Sequence, residues 1–198
     1  MTATTETQTP AEETPETSET AVSFSEPEFT GDTGFEDVDK DHWAAQAVFF
    51  AVQNGLFNGT GNGKFSPDMP MTRAMLMTVL ARVNGADTQG NALEKGMAWA
   101  VEQGISDGSS PDGNITREQI VTMLYRNAGQ PDVSADSSLL SGYTDGGSIS
   151  DYAEKAMIWA HDNGIINGMG DGTLAPGAGA TRAQVAQMMY NYIKKCLM

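Results

Sequence analysis

The chain predicts an all-α fold, three helix-loop-helix units in tandem behind a disordered acidic tail. Three observations predict it. A Thr-Arg pair recurs in "MTRAML" (71–76), "ITREQI" (115–120) and "ATRAQV" (180–185); a glycine-ended apolar stripe precedes each pair; and the first thirty residues lack the composition to fold.

The tail comes first. "MTATTETQTPAEETPETSET" is almost all Thr, Glu, Pro, Ala and Ser with no Lys or Arg, so it buries too little apolar area to offset the entropy of ordering. Residues 1–32 are therefore expected to be a disordered linker. The seven glutamates of this tail supply almost half of a net charge of −15. The body is acidic as well, which argues against nucleic acid or an anionic membrane as the main partner and makes each arginine conspicuous. No stretch reaches the length of a membrane span and no signal peptide is visible. The single cysteine, Cys196, excludes an intramolecular disulfide.

The first helix of each unit is read back from Gly55, Gly104 and Gly164. Apolar or small residues recur at Ala44, Ala47, Val48 and Ala51, at Leu93, Gly96, Met97 and Ala100, and at Ala153, Ala156, Met157 and Ala160. That is one face of an amphipathic helix closed by a C′ glycine. The second helix starts after each Thr-Arg threonine. Its stripes are Leu76, Val79, Leu80 and Val83, then Ile120, Met123 and Leu124, then Val185, Met188, Met189 and Tyr192. Thr116 with Gln119 and Thr181 with Gln184 fit a capping box, and Met71 with Leu76 and Ile115 with Ile120 fit a hydrophobic staple. An arginine then occupies the first helical position, where the helix dipole favours an acid, so an anion is expected nearby.

The units are unequal. Gly55 to Thr72 and Gly164 to Thr181 span 17 positions, but Gly104 to Thr116 spans 12, so the second unit has lost part of its loop. "QPDVSADSSLLSG" shows no stripe and reads as a linker. The expected division is 1–32 tail, 33–85 first unit, 86–130 second unit, 131–142 linker and 143–195 third unit.

The segment "FEDVDKDHWAAQAVFFAVQNGLFNGTGNGKFSPDMPMTRAML" resembles the surface-layer homology (SLH) domain family. It carries the family's Phe-x-Asp-Val, His-Trp-Ala, Gly-Leu, Gly-x-Phe-x-Pro and Thr-Arg-Ala elements at Phe35, Asp37, Val38, Trp43, Gly55, Gly59, Gly63, Phe65, Pro67, Thr72 and Arg73. The resemblance extends over about residues 33–195 in three copies, with departures. The third unit has Tyr143, Asp145 and Tyr152 at the Phe, Asp and Trp positions; the second has Ala92 for the Trp and no Gly-x-Phe-x-Pro; the motif's usual Glu is Met75, Gln119 and Gln184.

The resemblance implies a pseudo-threefold helical domain that anchors an exported protein non-covalently on the bacterial cell wall. Its grooves would bind an anionic, often pyruvylated, secondary wall polysaccharide linked to peptidoglycan. Arg73, Arg117 and Arg182, with the helix N–H groups capped by Thr72, Thr116 and Thr181, would hold the ligand carboxylate. The alternative for each arginine is an internal ion pair with Asp37, Asp112, Asp145 or Asp171. Asp37 and Asp145 either serve the site or position the helix that follows. Trp43 and Tyr152 offer faces for a sugar, Gly59 and Gly168 line the grooves, and Trp99 and Trp159 belong to core packing.

No metal, cofactor or enzyme chemistry is expected. Asp37, Asp39 and Asp41 imitate an EF-hand opening, but His42 stands where the loop needs Gly and Val48 where it needs Glu. His42 and His161 occupy non-equivalent positions, so a zinc centre is not expected, and no Ser-His-Asp pattern can be placed. The expected state is a monomer outside the cell on the wall. The rival reading is a protein-interaction module on the same scaffold, binding a protein or peptide.

Overall fold

The computed structural model describes residues 22–198. Six helices, α1 (Ala45–Gln53), α2 (Arg73–Val83), α3 (Ala92–Glu102), α4 (Arg117–Asn127), α5 (Glu154–Asp162) and α6 (Arg182–Cys196), make three pairs, with no strand among the described residues. The fold is all-α, as the stripes predict.

The first helix of each pair stops where glycine is required. Gly55, Gly104 and Gly164 have φ of 68, 67 and 66°. This left-handed turn lets the next residue, Leu56, Ile105 or Ile165, donate back to Ala51, Ala100 or Ala160 at 2.8–2.9 Å, closing the helix. The second helices begin with Thr72, Thr116 and Thr181 as N-caps, and the two glutamine-bearing ends form full capping boxes.

The pairs close on one another around a pseudo-threefold axis. Met71, Ile115 and Ala180, each just before an N-cap threonine, form a closed ring of backbone bonds. Met71 N donates to Ala180 O at 3.0 Å, Ala180 N to Ile115 O at 3.0 Å, and Ile115 N to Met71 O at 2.9 Å. All three residues are buried. Outside the ring, each first helix packs on the second helix of the unit before it, so that α3 lies on α2, α5 on α4 and α1 on α6.

The structure departs from three expectations. Residues 22–32 of the expected disordered tail lie against the body; the rest of that tail is outside the described residues. Phe29 meets Phe49 with ring centroids 5.3 Å apart, Asn54 bonds the Ser25 backbone at both N and O, and Glu26 reaches Tyr190 and Lys194. Composition taken over thirty residues hides Val22, Phe24 and Phe29, which gather at its end. The stretch read as a linker contains a 3-10 turn, Ser137–Leu140, with Leu140 buried. Lastly, Leu93 of the inward stripe of α3 is 46% exposed, although its counterparts Ala44 and Ala153 are fully buried. The second unit lacks the Phe-x-Asp-Val segment and the longer loop that supply cover in the other two.

Candidate functional site

Each Thr-Arg arginine clasps the loop of the next unit around the ring. Arg117 donates from Nε to Leu174 O at 2.8 Å and from Nη2 to Asn167 O at 2.7 Å. Arg182 does the same to Phe65 O at 2.8 Å and Asn58 O at 2.7 Å. Arg73 follows suit with Nε on Ser109 O at 2.9 Å, but its Nη2 goes to Asp107 Oδ1 at 3.1 Å and Ser106 Oγ at 3.3 Å. None of the three meets the acids named from the sequence directly.

The helix N–H groups are also taken. Arg73 N and Ala74 N donate to Gly113 O and Pro111 O, Arg117 N and Glu118 N to Ala178 O and Pro176 O, and Arg182 N and Ala183 N to Met69 O and Pro67 O. Thr72, Thr116 and Thr181 occupy the next N–H of each helix. The expectation that these N–H groups hold an anion is therefore corrected: neighbouring loop carbonyls fill that role, which leaves the guanidinium groups alone to supply positive charge.

Asp37 and Asp145 perform one task in two units. Asp37 accepts from Phe65 N and Ser66 N, and Asp145 from Leu174 N and Ala175 N, all at 2.8 Å. Each carboxylate thus pins the carbonyl-bearing loop that an arginine grips. Burial pushes the Asp37 carboxyl up, but the two backbone donors outweigh it and hold the group below the ordinary carboxylate range. Asp39 turns back on its neighbour Asp41 N, and no cluster of three metal-ligating acids, histidines or cysteines forms among the described residues.

The surroundings of the arginines differ. Arg117 lines a cavity of about 290 Å³ between Trp43, the loop after α5 and α6, together with Gly168, Met169, Gln184 and Gln187. Trp43 is 61% exposed, whereas Arg117 is 4% exposed. Burial pushes the Arg117 guanidinium pKa down, partly countered by the Asp145 carboxylate. Its direct partners are neutral carbonyls, and Nη1 makes no hydrogen bond among the described residues.

Arg182 is covered on its flat face by Phe65 and Phe57, with its Cζ 4.4 and 5.5 Å from the ring centroids. Beside it Ala92 stands in the tryptophan position, and α3 sits so tightly on α2 that a Cβ on Gly96 would lie 2.5 Å from Thr78 Cα. The hollow there, about 620 Å³, is lined by Gly55, Asn58, Arg82, Asp87 and Ala92; it holds no aromatic side chain, and Arg182 does not line it. Near Arg73, Tyr152 donates to Glu118 Oε1 at 2.9 Å, and Glu118 also accepts from Ser150 N and Oγ. Burial and that bond push the Tyr152 hydroxyl up to about 12. With Asp107 on the arginine and Glu118 under the tyrosine, this third groove already contains its anions.

Gly59 and Gly168 are tied to aromatic rings. A Cβ at Gly59 would stand 2.7 Å from Phe35 Cε1, and one at Gly168 2.5 Å from Tyr143 Cε1. Only the second of these glycines lines the Trp43–Arg117 cavity. As expected, Trp159 is buried in the core, and Trp99 is partly buried against it.

Sequence comparison agrees with this architecture. A model of the S-layer homology domain matches residues 34–74 and 142–186, the first and third units. The S-layer protein sap of Bacillus anthracis is 28% identical over 173 residues, covering 78% of this chain and 20% of that protein. The first and third units belong to the S-layer homology family. Other relatives are an amylopullulanase of Thermoanaerobacterium thermosulfurigenes, 26% identical over 84% of this chain and 10% of that protein, and a cellulosome-anchoring protein of Acetivibrio thermocellus, 27% identical over 47% of this chain and 25% of that protein. The chain thus spans a quarter or less of the length of these relatives. The second unit, with its shorter loop, lies between the two matched regions.

Residue-by-residue reading missed Asp107, Glu118, Gln187 and Asn191. Asn191 Nδ2 donates to Ile165 O at 3.3 Å, where the equivalent Arg82 and Arg126 reach Leu56 O and Ile105 O. Counting each unit forward from its threonine would have aligned these three and exposed the change from cation to amide.

Proposed function

We propose that this domain is a non-covalent cell-wall anchor that takes an anionic, carboxylate-bearing secondary wall polysaccharide in the groove where its first and third units meet the start of α4. A pyruvylated sugar has the required charge. Arg117 supplies the charge-assisted bonds to the carboxylate, and Trp43 lies against a sugar face. Gln184, Gln187 and Asn191 offer amides to the hydroxyl or acetamido groups. The carrying observation is one cavity that joins an exposed tryptophan to a buried arginine whose direct partners are all uncharged. Desolvation strengthens such a site, because a buried cation bonded only to neutral carbonyls gains from an incoming anion.

Two of the family's three grooves are silent in this reading: one has Ala92 for the tryptophan and is not lined by Arg182, and one is neutralised by Asp107 and Glu118. The relatives named for S-layers and for cellulosome anchoring are consistent with placement outside the cell on the wall. A ring that closes within one chain is consistent with a monomer.

The test is co-sedimentation with bacterial wall sacculi, untreated or stripped of acid-labile polysaccharide. Binding to untreated walls alone, lost in Trp43→Ala and retained in Arg73→Ala, supports the reading. Trp43 is exposed, so its loss leaves folding intact. Equal binding to both walls would instead assign the surface to a protein partner.

A further inference from the structure

Three residues after each helix-ending glycine the units carry Asn58, Asp107 and Asn167, and each is followed by glycine. The second unit shows what an aspartate does here: its carboxylate takes the arginine Nη2 that a backbone carbonyl holds in the other two. We propose that Asn167–Gly168 is a site of spontaneous deamidation, and that conversion to aspartate switches off the Trp43–Arg117 groove. The consequence for binding rests on the groove reading above.

The chemistry needs only water and base. The Gly168 backbone nitrogen, after losing its proton to solvent base, bonds to Asn167 Cγ; the Cγ–Nδ2 bond breaks and ammonia leaves. Water then opens the cyclic imide at either carbonyl, giving aspartate or its β-linked isomer. The net change is ammonia exchanged for water, with no redox step. Glycine favours the attack because it places no side chain beside the nucleophilic nitrogen.

The fold sorts six Asn-Gly pairs into two sets. At the helix ends, Gly55, Gly85 and Gly164 N–H donate to Val52, Arg82 and His161 carbonyls at 2.9–3.0 Å. The asparagine amides before them donate to Phe50, Leu80 and Trp159 carbonyls at 2.8–2.9 Å, so both reacting groups are engaged. In the loops, Asn58, Asn62 and Asn167 have side chains that make no hydrogen bond among the described residues, and neither do the N–H groups of the glycines that follow them. All three asparagines are exposed. Of these, Asn167 alone lines the cavity with Arg117, so only its product puts a carboxylate where the anionic ligand would bind. At Asn58 the product would face Arg182, away from that cavity.

The intact chain would be aged in mildly alkaline buffer, mapped by peptide mass at intervals, and partitioned between untreated wall sacculi and supernatant. Asn58, Asn62 and Asn167 should convert at least roughly ten-fold faster than Asn54, Asn84 and Asn163, and the Asn167 product should concentrate in the unbound fraction. Fresh N167D should bind about ten-fold or more weakly and shift the Arg117 guanidinium NMR signals without added ligand. Conversion at Asn167 no faster than at Asn163, or an Arg117 signal unmoved in N167D, would overturn the proposal. So would equal Asn167 product in bound and unbound fractions. Fresh protein that ignores the walls would refute the groove reading instead, since the mass map and the NMR signal do not depend on binding.

Discussion

The groove at Arg117 and the groove at Arg73 are built by the same operation of the fold and end in opposite electrostatic states. Both arginines start a helix, both donate Nε to a loop carbonyl, and both face an aromatic at the tryptophan position. Two positions separate them: Asn167 offers Arg117 a backbone carbonyl while Asp107 offers Arg73 a carboxylate, and Glu118, bonded to Tyr152, stands where the third unit has Ala183. A repeat can therefore retain its scaffold and lose its charge for a ligand through two side chains.

The largest expected effect breaks that comparison directly. Arg117→Ala should weaken wall binding about 30-fold or more, the scale for losing one side of a buried charged contact, while Arg73→Ala should change it less than about three-fold. Binding isotherms on sacculi separate the two, with near-UV circular dichroism to verify folding. Installing the missing acid relief should sharpen it: Asp107→Asn, which frees Arg73, should gain little binding unless Glu118→Gln accompanies it.

Next come the loop clasps. Asp145→Ala removes a carboxylate from two backbone N–H groups and should cost about 2–4 kcal/mol in urea unfolding, against about 1 kcal/mol or less for Asp107→Ala at the exposed ion pair. Core equivalence should fail in the same direction. Met157→Ala should cost about 2–4 kcal/mol, whereas Met97→Ala, at the equivalent but only partly buried position of α3, should cost about 1–2 kcal/mol.

The smallest effect is on acid stability. Because the folded Asp37 carboxyl titrates below its unfolded value, its contribution is complete above the unfolded carboxylate pKa, about 4, and fades as pH falls through the lower folded value. Asp37→Asn should flatten the loss of stability below about pH 4 in acid titrations followed by circular dichroism.

Much of this was legible from local rules. Helix starts at Thr72, Thr116 and Thr181 and stops at three glycines follow from capping and from left-handed backbone, and the stripes set the inward faces. The arginine oddity at the helix starts was legible too, but not its resolution. Which atom answers each guanidinium depends on a loop about 34 to 124 positions away, so spacing within one unit carries no sign of it. The open side of α3 escaped for a related reason: a stripe shows which residues can be buried, and the covering segment must come from elsewhere.

The ring of Met71, Ile115 and Ala180 also counts. Open arrays of helical repeats lengthen by stacking another copy on an exposed end. Here every repeat has a neighbour on both sides and the last bonds the first, so there is no end on which to stack. Such a lineage can grow only by adding whole triplets, and within a triplet a worn copy such as the second unit is kept because the circle would not close without it.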